Sequence, residues 1–580
     1  MYASAKNGNN FYKLYDIVIS RENILLAYRN LKKNTGSTTK GTDNKNIKDF
    51  EKLSSEQLVD LVREKFTHYY PKSVRRVYIP KANGQLRPLG IPTIEDRLIQ
   101  QCILQVMEPI CEAKFYNYSY GFRPNRNSKH AIARAYSLAQ INKLTFCVDI
   151  DLKGFFDNVN HAKLLKQLWS LGIRDKRLIS IISKMLKAEI KGYGIPIKGT
   201  PQGGILSPLL ANIVLNELDW WIASQWDNIP TKFEYRQKGN KHVALRSTKL
   251  KEMHIVRYAD DFKIFCSSRE DAEKIYHSVV KWLKERLNLE VNQEKSKIVN
   301  LRNEYSEFLG IKFKLYKSKG KLVIQSRICD KAKNRILSDI KHLLGKIRKY
   351  DYAEYPKQLN AMIMGYHNYY NMATRISDDF SNIQNRTFKK MRNKRIRTQT
   401  GFTPKVIKER YGKYNGEKVF LRGVQIIPIY AVRFSTPLQF GRGVCSYTEE
   451  GRMKIHKNIK QHLTKRLIYI MNNPNPNYSV EYNDNRISLY SGQLGKCGIT
   501  GEFLEPHEMH CHHKVPRSLG GTDEYMNLIY ISIEAHKLIH ATTTETIEKY
   551  MNRLKLDDKA FKKVNNLRKL AELNEIIQIN

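Results

Sequence analysis

The pair Asp260-Asp261 limits most strongly how this chain can fold, because it lies between two short runs of strand-forming residues, 254–258 and 262–266. A strand, an acidic turn and a second strand predict a hairpin with carboxylates at its tip. Adjacent carboxylates beside apolar strands repel each other and are poorly solvated. A divalent cation such as Mg²⁺ removes that penalty. The alternative interpretation is a solvated hairpin tip without a chemical role.

Two earlier segments fit the same chemistry. Residues 146–151 form a strand run that ends on the carboxylate of Asp151. If this strand lies beside the hairpin, Asp151 and Asp260 surround one metal pair, which is the arrangement for two-metal nucleotidyl transfer. Residues 199–208 form a Gly/Pro loop whose backbone can approach a base pair or a phosphate closely.

Seven segments, taken together, resemble the motif blocks of reverse transcriptases encoded by group II introns. In chain order the blocks are residues 81–92, 120–124, 151–157, 201–204, 258–261, 294–298 and 308–310. Each block alone is a weak signal. Seven blocks in the right order make a highly specific match over about 240 residues, and that resemblance implies a right-hand polymerase with fingers and palm.

The resemblance implies a metal site built from aspartates. Asp151, Asp260 and Asp261 would be the catalytic carboxylates that bind two Mg²⁺, and the backbone carbonyl of Leu152 would add a ligand. Lys295, in the block that follows the hairpin, is expected to support this site.

The resemblance also implies a nucleotide-binding site. Lys81 and Arg87 would neutralise the triphosphate of an incoming dNTP. Phe156 would close off the space beside the sugar 2′-position and so exclude ribonucleotides. Gln202 and Gly203 would line the nascent base pair.

The charge of the chain agrees with a polyanionic partner. There are 100 Lys and Arg residues against 56 Asp and Glu, which gives a formal net charge of +44. The partners implied by the resemblance are the group II intron RNA, in a ribonucleoprotein, and a target DNA. Monomer and dimer both stay open. With no apolar span or signal core in the sequence, we expect no membrane partner and a bacterial-type cytoplasmic location near the nucleoid.

The sequence predicts an α+β multidomain chain. Residues 330–349 carry apolar side chains at helical spacing with basic residues opposite, which predicts a helix. Its place after the palm makes it resemble a helix of the α-helical thumb, called domain X in maturases. The alternative for this helix is an ordinary docked surface helix. The expected domains are an N-terminal fingers extension (1–74), fingers and palm (75–315), thumb or maturase domain X (316–430), a DNA-binding region and linker (431–490) and an endonuclease domain (491–580).

The last ninety residues contain a second set of candidate site residues, most of them histidines. His512 and His513 lie on a predicted strand and so point to opposite faces, whereas His536 and His540 share one face of a predicted helix. The spacing resembles HNH nucleases, which have a ββα-metal fold. By that resemblance His513 is the general base, and His512, His536 and His540 bind one divalent metal. Asn527 would fix the conformation of the loop. The alternative is a histidine-rich structural site.

One feature departs from the nuclease pattern. Related intron-encoded nucleases often carry two Cys-x-x-Cys pairs, but Cys497 has no partner at that spacing. A tetrahedral Cys₄ site cannot be built from one cysteine, so we expect no structural zinc.

Two rival functions stay open at this point. One is a reverse transcriptase of another lineage, such as a retron or CRISPR-associated type. The other is an RNA-binding splicing factor without polymerase activity, which would predict loss of the three aspartates.

Overall fold

The computed structural model describes residues 1–80, 84, 86–414, 416–456 and 461–577. The chain begins with short helices that pack on a long one. The N-terminal helices are α1 (Tyr2–Lys6), α2 (Tyr15–Val18), α3 (Arg21–Lys32), α4 (Lys48–Glu51) and α5 (Ser55–Thr67). Helix α5 begins at a capping box, in which Ser54 and Gln57 satisfy each other's backbone N–H groups.

An antiparallel hairpin and two helices follow. Their bounds are β1 (Arg75–Pro80), β2 (Leu86–Ile91), α6 (Ile94–Lys114) and α7 (Ser128–Gln140). The hairpin pairs Arg75 with Ile91 and Pro80 with Leu86. Lys81 lies outside the described residues, so its predicted role is not addressed by the structure.

The centre of the molecule is a four-stranded antiparallel sheet. Its strands are β3 (Phe146–Ile150), β4 (His254–Tyr258), β5 (Asp261–Cys266) and β6 (Lys297–Asn300), in the order β4-β5-β3-β6. The hairpin predicted around Asp260 is therefore present as β4 and β5. The helices of this region are α8 (Phe155–Asn158), α9 (His161–Ser170), α10 (Lys176–Leu186), α11 (Ser207–Gln225), α12 (Lys238–Arg246) and α13 (Arg269–Trp282).

This sheet is covered on both faces, because alternate residues of each strand enter different hydrophobic cores. Val148 and Ile264 pack with the helices of the N-terminal half. Cys147 and Phe265 pack with the strands and helices that follow the sheet. Residues on both faces are apolar, so any charge in these strands has to find a partner within the protein.

The segment after the sheet forms a three-stranded meander and a helical layer. Its elements are β7 (Ser306–Phe308), β8 (Ile311–Ser318), β9 (Lys321–Ile328), α14 (Asp330–Lys349), α15 (Glu354–Tyr370) and α16 (Ile376–Met391). Helix α14 covers the residues predicted from the helical spacing. It buries Ile336, Ile340 and Leu344 and leaves Arg335 and Arg348 exposed.

Smaller elements connect this layer to the C-terminal region. They are β10 (Arg397–Thr398), α17 (Lys405–Tyr411), β11 (Phe420–Leu421), β12 (Val424–Gln425) and α18 (Glu449–Ile455). Strands β10, β11 and β12 form a small antiparallel sheet.

The C-terminal region has its own hydrophobic core. Its elements are α19 (Gln461–Asn472), α20 (Val480–Gly492), β13 (Met509–His513), β14 (Leu528–Ser532), α21 (Ile533–His540), α22 (Thr544–Leu554) and α23 (Asp558–Leu570). The core joins Leu463 of α19 and Tyr482 of α20 to Tyr530 and Leu538. Helices that precede residue 491 therefore pack with the ββα unit formed by β13, β14 and α21.

The C-terminal region is tied to the N-terminal helices by charged contacts. Arg29 Nη1 lies 2.9 Å from Asp484 Oδ1, and Lys32 Nζ lies 2.7 Å from Glu481 Oε2. The Tyr28 hydroxyl donates to Glu481 at 2.8 Å, and both groups are buried. Helices α3 and α20 thus form an interface between two segments that are far apart in the sequence. Among the described residues, no helix has the length and apolar character needed to cross a lipid bilayer.

A buried histidine in the helical layer predicts a pH dependence. His367 Nε2 lies 2.8 Å from the carbonyl oxygen of Ile429, and desolvation lowers the His367 pKa to about 4. The unfolded chain therefore binds more protons than the folded chain between pH values of about 4 and 6.5. Stability is lost as the pH falls through this window, by about 2 kcal/mol at pH 5.

We expect the melting temperature of the parent to fall more between pH 7.5 and pH 5 than that of His367→Gln. The exposed His277 supplies a control, because His277→Gln should keep the parental pH slope. Thermal melts at both pH values check this. Equal slopes for the parent and His367→Gln would contradict it.

Candidate functional site

The sheet brings the predicted carboxylates together at one edge. Strands β3 and β5 pair Phe146 with Cys266 and Ile150 with Phe262. One further step in this register places Asp151 opposite Asp261, and Asp260 precedes Asp261 in the turn of the hairpin. The Asp151 side chain is 47% exposed, so the edge is open to solvent.

The electrostatics of this edge suit a bound cation. Desolvation raises the pKa of Asp261 to about 6, and the carboxylates of Asp149, Asp260 and Asp151 add to the rise. Desolvation and the Asp151 charge also raise the pKa of Asp260. Three carboxylates that repel one another at an open edge are a donor set for Mg²⁺, so the residues present fit this ion.

The main chain around Asp151 is held by the segment that follows α13. Asn292 N–H donates to the Asp151 carbonyl at 2.8 Å, and Lys153 N–H donates to the Glu290 carbonyl at 2.9 Å. Leu152, between them, is buried. Lys295 Nζ lies 3.7 Å from Asp151 Oδ2, which places this predicted supporting residue beside the carboxylates.

Arg257 fixes the turn that carries Asp260, and sequence reasoning missed this role. Its guanidinium is buried and donates to Asp219 Oδ2 at 2.6 Å, to Asn212 Oδ1 at 2.9 Å and to the Ala259 carbonyl at 2.8 Å. The bond to Ala259 ties strand β4 to its own turn. An arginine in the middle of a predicted buried strand run was the available signal, because a buried cation requires partners.

The same turn is in close contact with Gly121. Ala259 has a left-handed backbone with φ of 58°, and a Cβ added at Gly121 would lie 2.3 Å from the Ala259 nitrogen. Asn212 Nδ2 donates to the Gly121 carbonyl at 2.8 Å, so Asn212 links this segment to Arg257. Residues 120–124 therefore pack against the turn and fix its position.

A second buried charge pair lies directly behind the carboxylates. Lys263 Nζ is 2.7 Å from Asp149 Oδ1, and Ser306 Oγ donates to Asp149 Oδ2 at 3.0 Å. Asp149 and Lys263 are neighbours in the β3–β5 register. Because Lys263 is close to Asp261, its charge lowers the pKa of that carboxyl and partly offsets the repulsion.

The Gly/Pro loop packs between the β1–β2 hairpin and the segment after β3. A Cβ at Gly203, where φ is 122°, would lie 2.5 Å from the Gly90 carbonyl oxygen. Gly90 N–H donates to the carbonyl of Gln202, and Thr200 N–H donates to the carbonyl of Phe156, each at 2.7 Å. The absence of a side chain at Gly203 thus allows the backbone of the loop to contact the backbone of β2.

The predicted nucleotide-binding residues Phe156, Gln202 and Arg87 lie in this loop or in the segments that flank it. The Phe156 side chain is half-buried against the N-terminal core, and the Gln202 side chain is half-buried. Arg87 on β2 is exposed, and its positive charge lowers the pKa of Asp260. Arg87 is therefore close enough to Asp260 to affect its charge, and the backbones of Phe156 and Gln202 are joined to the loop and to β2 by hydrogen bonds.

The C-terminal histidines form a separate cluster. His512 on β13 and His536 on α21 have ring centroids 5.2 Å apart, and the His540 ring lies 5.2 Å from His512. His510, which sequence reasoning did not select, offers a ring nitrogen within 4.8 Å of those of His512 and His536. The signal was available, since His510 and His512 lie two residues apart and share one strand face.

This cluster suits a divalent metal. Desolvation and the neighbouring histidines lower the pKa of His512 to about 3, and they lower that of His536 to about 4. Both imidazoles are therefore neutral at neutral pH, as metal ligands must be. His512 Nε2 is buried with no hydrogen-bond partner among the described residues, so the donor set fits a metal ion.

His513 faces the opposite side of β13. Its Nε2 lies 2.7 Å from Asp523 Oδ1, and its ring stacks on Tyr482 with centroids 5.3 Å apart. The loop between β13 and β14 is held by Asn527, whose side chain bonds Val515 N–H at 2.9 Å and the Thr522 carbonyl at 2.8 Å. This loop carries Asp523, so Asn527 also fixes the partner of His513.

The four-stranded sheet gathers three aspartates at one open edge, and comparison with known proteins identifies the class of protein. Residues 79–313 match the family of reverse transcriptases (RNA-dependent DNA polymerases). The chain is 35% identical over 301 residues to protein YkfC of Escherichia coli strain K12, which covers 48% of this chain and 77% of that protein.

Two further relatives are encoded by introns. The chain is 32% identical over 382 residues to the group II intron-encoded protein LtrA of Lactococcus lactis subsp. cremoris, covering 59% of this chain and 63% of LtrA. It is 30% identical over 343 residues to a putative COX1/OXI3 intron 1 protein of Saccharomyces cerevisiae, covering 53% of this chain and 39% of that protein. This chain belongs to the reverse transcriptase and maturase family encoded by group II introns.

The contact between Gly121 and the turn that carries Asp260 gives a testable prediction. Gly121→Ala places a methyl group against the Ala259 backbone, so the turn with Asp260 has to shift. Misplacement by about 1 Å costs about 100-fold in rate, and we expect primer extension on an RNA template to fall by that order. Gly345→Ala is the matched control, because the Cβ added on α14 meets no atom within 4 Å apart from the backbone of its own helix turn. Parental extension rates for Gly121→Ala would contradict this role.

Proposed function

We propose that this chain is a multifunctional group II intron protein. It copies intron RNA into DNA, binds the intron RNA and assists its splicing, and cuts a target DNA strand to support intron mobility. The observation that carries the polymerase activity is the pairing of β3 with β5, which gathers Asp151, Asp260 and Asp261 at one open edge. This edge lies within the segment that matches reverse transcriptases.

In the polymerase site Asp151, Asp260 and Asp261 would hold two Mg²⁺, which would supply Lewis-acid stabilisation of the primer 3′-oxygen and of the pyrophosphate charge. The residues of the chain then supply position and selectivity. Arg87 contacts the triphosphate of the dNTP. Phe156 excludes a 2′-hydroxyl, and the loop at Gly203 supports the nascent base pair.

The basic surface of the helical layer supports binding of intron RNA. The proposed thumb, residues 316–430, presents the exposed Arg335 and Arg348 on α14 and the exposed Lys389, Lys390 and Arg395 near the end of α16. Exposed cations on one layer suit phosphate contacts. The proposed DNA-binding region, residues 431–490, leads into the C-terminal unit.

The C-terminal unit supports a nuclease of the ββα-metal type. We assign one divalent metal to His512 and His536, with His510 and His540 beside them. His513 acts as the general base, because Asp523 holds Nε2 and leaves Nδ1 for a water molecule. Asp523 stabilises the imidazolium that forms when the proton is taken up.

The polymerase assignment is tested by Asp260→Asn, which keeps the shape and removes a charged ligand. Weaker binding of the metal at the reacting groups should raise the activation free energy by several kcal/mol. Primer extension on RNA should therefore fall by about 100-fold or more. The control is Asp60→Asn, an exposed aspartate of α5. Binding of intron RNA should be unchanged in both variants, since Lys and Arg side chains make the phosphate contacts. Undiminished extension by Asp260→Asn would reject the assignment.

The nuclease assignment is tested with the purified ribonucleoprotein on a cognate DNA duplex. His513→Ala should abolish cutting of the target strand, and extra metal should not restore it. His536→Ala should also lose cutting, but raised metal concentration should partly restore it, because this change weakens metal binding. The exposed His507 of the same unit gives the control His507→Ala. Equal cutting by the parent and His513→Ala would show that the histidines are structural.

A further inference from the structure

Three polar side chains converge inside the palm, and none belongs to the polymerase or nuclease sites described above. Asp227 follows α11, His242 lies on α12, and His254 begins β4. Asp227 and His254 are buried, and the side chain of His242 is 14% exposed. These residues come from the segment that connects the Gly/Pro-loop helix to the strand before Asp260.

Two of the distances between their ligand atoms match those of a tetrahedral metal site. His242 Nε2 lies 3.1 Å from Asp227 Oδ1, and His254 Nδ1 lies 3.3 Å from the same oxygen. All three groups offer atoms within 4.8 Å of one another. With metal–ligand bonds of about 2.0–2.1 Å, two ligands of a tetrahedral Zn²⁺ are roughly 3.3 Å apart. The two measured distances match edges of such a tetrahedron.

The two ring nitrogens lack other partners. His242 Nε2 and His254 Nδ1 are both buried, and the contact of each with Asp227 Oδ1 does not have hydrogen-bond geometry. A buried polar atom without a well-formed hydrogen bond is destabilising. One cation placed among the three groups would satisfy both nitrogens and would also neutralise Asp227.

A second layer of contacts orients the ligands. His254 Nε2, on the far side of its ring, lies 3.3 Å from Glu252 Oε1. Arg246 holds Glu252 with a two-bond fork of 2.7 and 2.9 Å, and the Tyr116 hydroxyl donates to Asp227 Oδ2 at 3.0 Å. A carboxylate on the second nitrogen of a ligating histidine is typical of metal sites.

We propose that Asp227, His242 and His254 bind one divalent first-row transition-metal ion, preferentially Zn²⁺, with water as the fourth ligand. Two imidazoles and a carboxylate favour such an ion over Mg²⁺, which prefers oxygen ligands. The ion is structural, because it joins the end of α11, helix α12 and the start of β4. It thereby fixes the strand that leads to the catalytic turn.

The test uses the full-length chain with His510, His512 and His536 all changed to Ala, so that the C-terminal histidines do not contribute metal. The protein is stripped with a chelator, returned to Zn²⁺ with Mg²⁺ in excess, and analysed for zinc by mass spectrometry. We expect one zinc per chain, which falls to near zero when His242→Asn is added. The control His277→Asn, an exposed histidine of α13, should retain the zinc.

Two measurements do not depend on whether His242→Asn folds. Zn²⁺ should raise the melting temperature of the chain that lacks the three C-terminal histidines. Co²⁺ in place of Zn²⁺ should give the visible absorption of a tetrahedral site. If this chain binds no zinc, or if folded His242→Asn still binds one, the proposal is wrong. In that case His254 is held as an imidazolium between Asp227 and Glu252.

Discussion

Repulsion among the aspartates at the edge of the palm sheet is the constraint on which the rest of the structure depends. The pairing of β3 with β5 forces Asp151 and Asp261 together, and the hairpin turn adds Asp260. The protein offsets this repulsion only in part, because the Asp261 pKa stays raised in spite of Lys263, and Lys295, 3.7 Å from Asp151, is mostly exposed. It therefore leaves room for Mg²⁺ and holds the carboxylates in place from behind.

The charges behind the site are themselves buried and paired. The Arg257 guanidinium donates hydrogen bonds to Asp219, Asn212 and the Ala259 carbonyl in the turn, whereas Lys263 forms an ion pair with Asp149. Breaking either pair by removing one partner would leave a buried charge uncompensated, at a cost of about 3–5 kcal/mol. The positions of the aspartates are thus stabilised by buried ion pairs behind them.

Close backbone contacts join the polymerase blocks to one another. Gly121 meets the catalytic turn, and Gly203 meets Gly90 on the β1–β2 hairpin. The interface of α3 with α20 extends this coupling to the C-terminal unit, where Tyr28 binds Glu481. The C-terminal unit and the N-terminal helices are therefore joined by direct side-chain contacts.

The sequence by itself determined the hairpin around Asp260, the helix at residues 330–349 and the family, because local periodicity and motif order require no knowledge of distant contacts. It also placed His512 and His513 on opposite strand faces. Only the tertiary structure decided which charges meet. Arg257 and Asp219, or His254 and Asp227, are separated along the chain by helices and loops, and only the packed sheet brings them within bonding distance. Their pairing depends on the register of β4 and the position of α11, which no local pattern encodes.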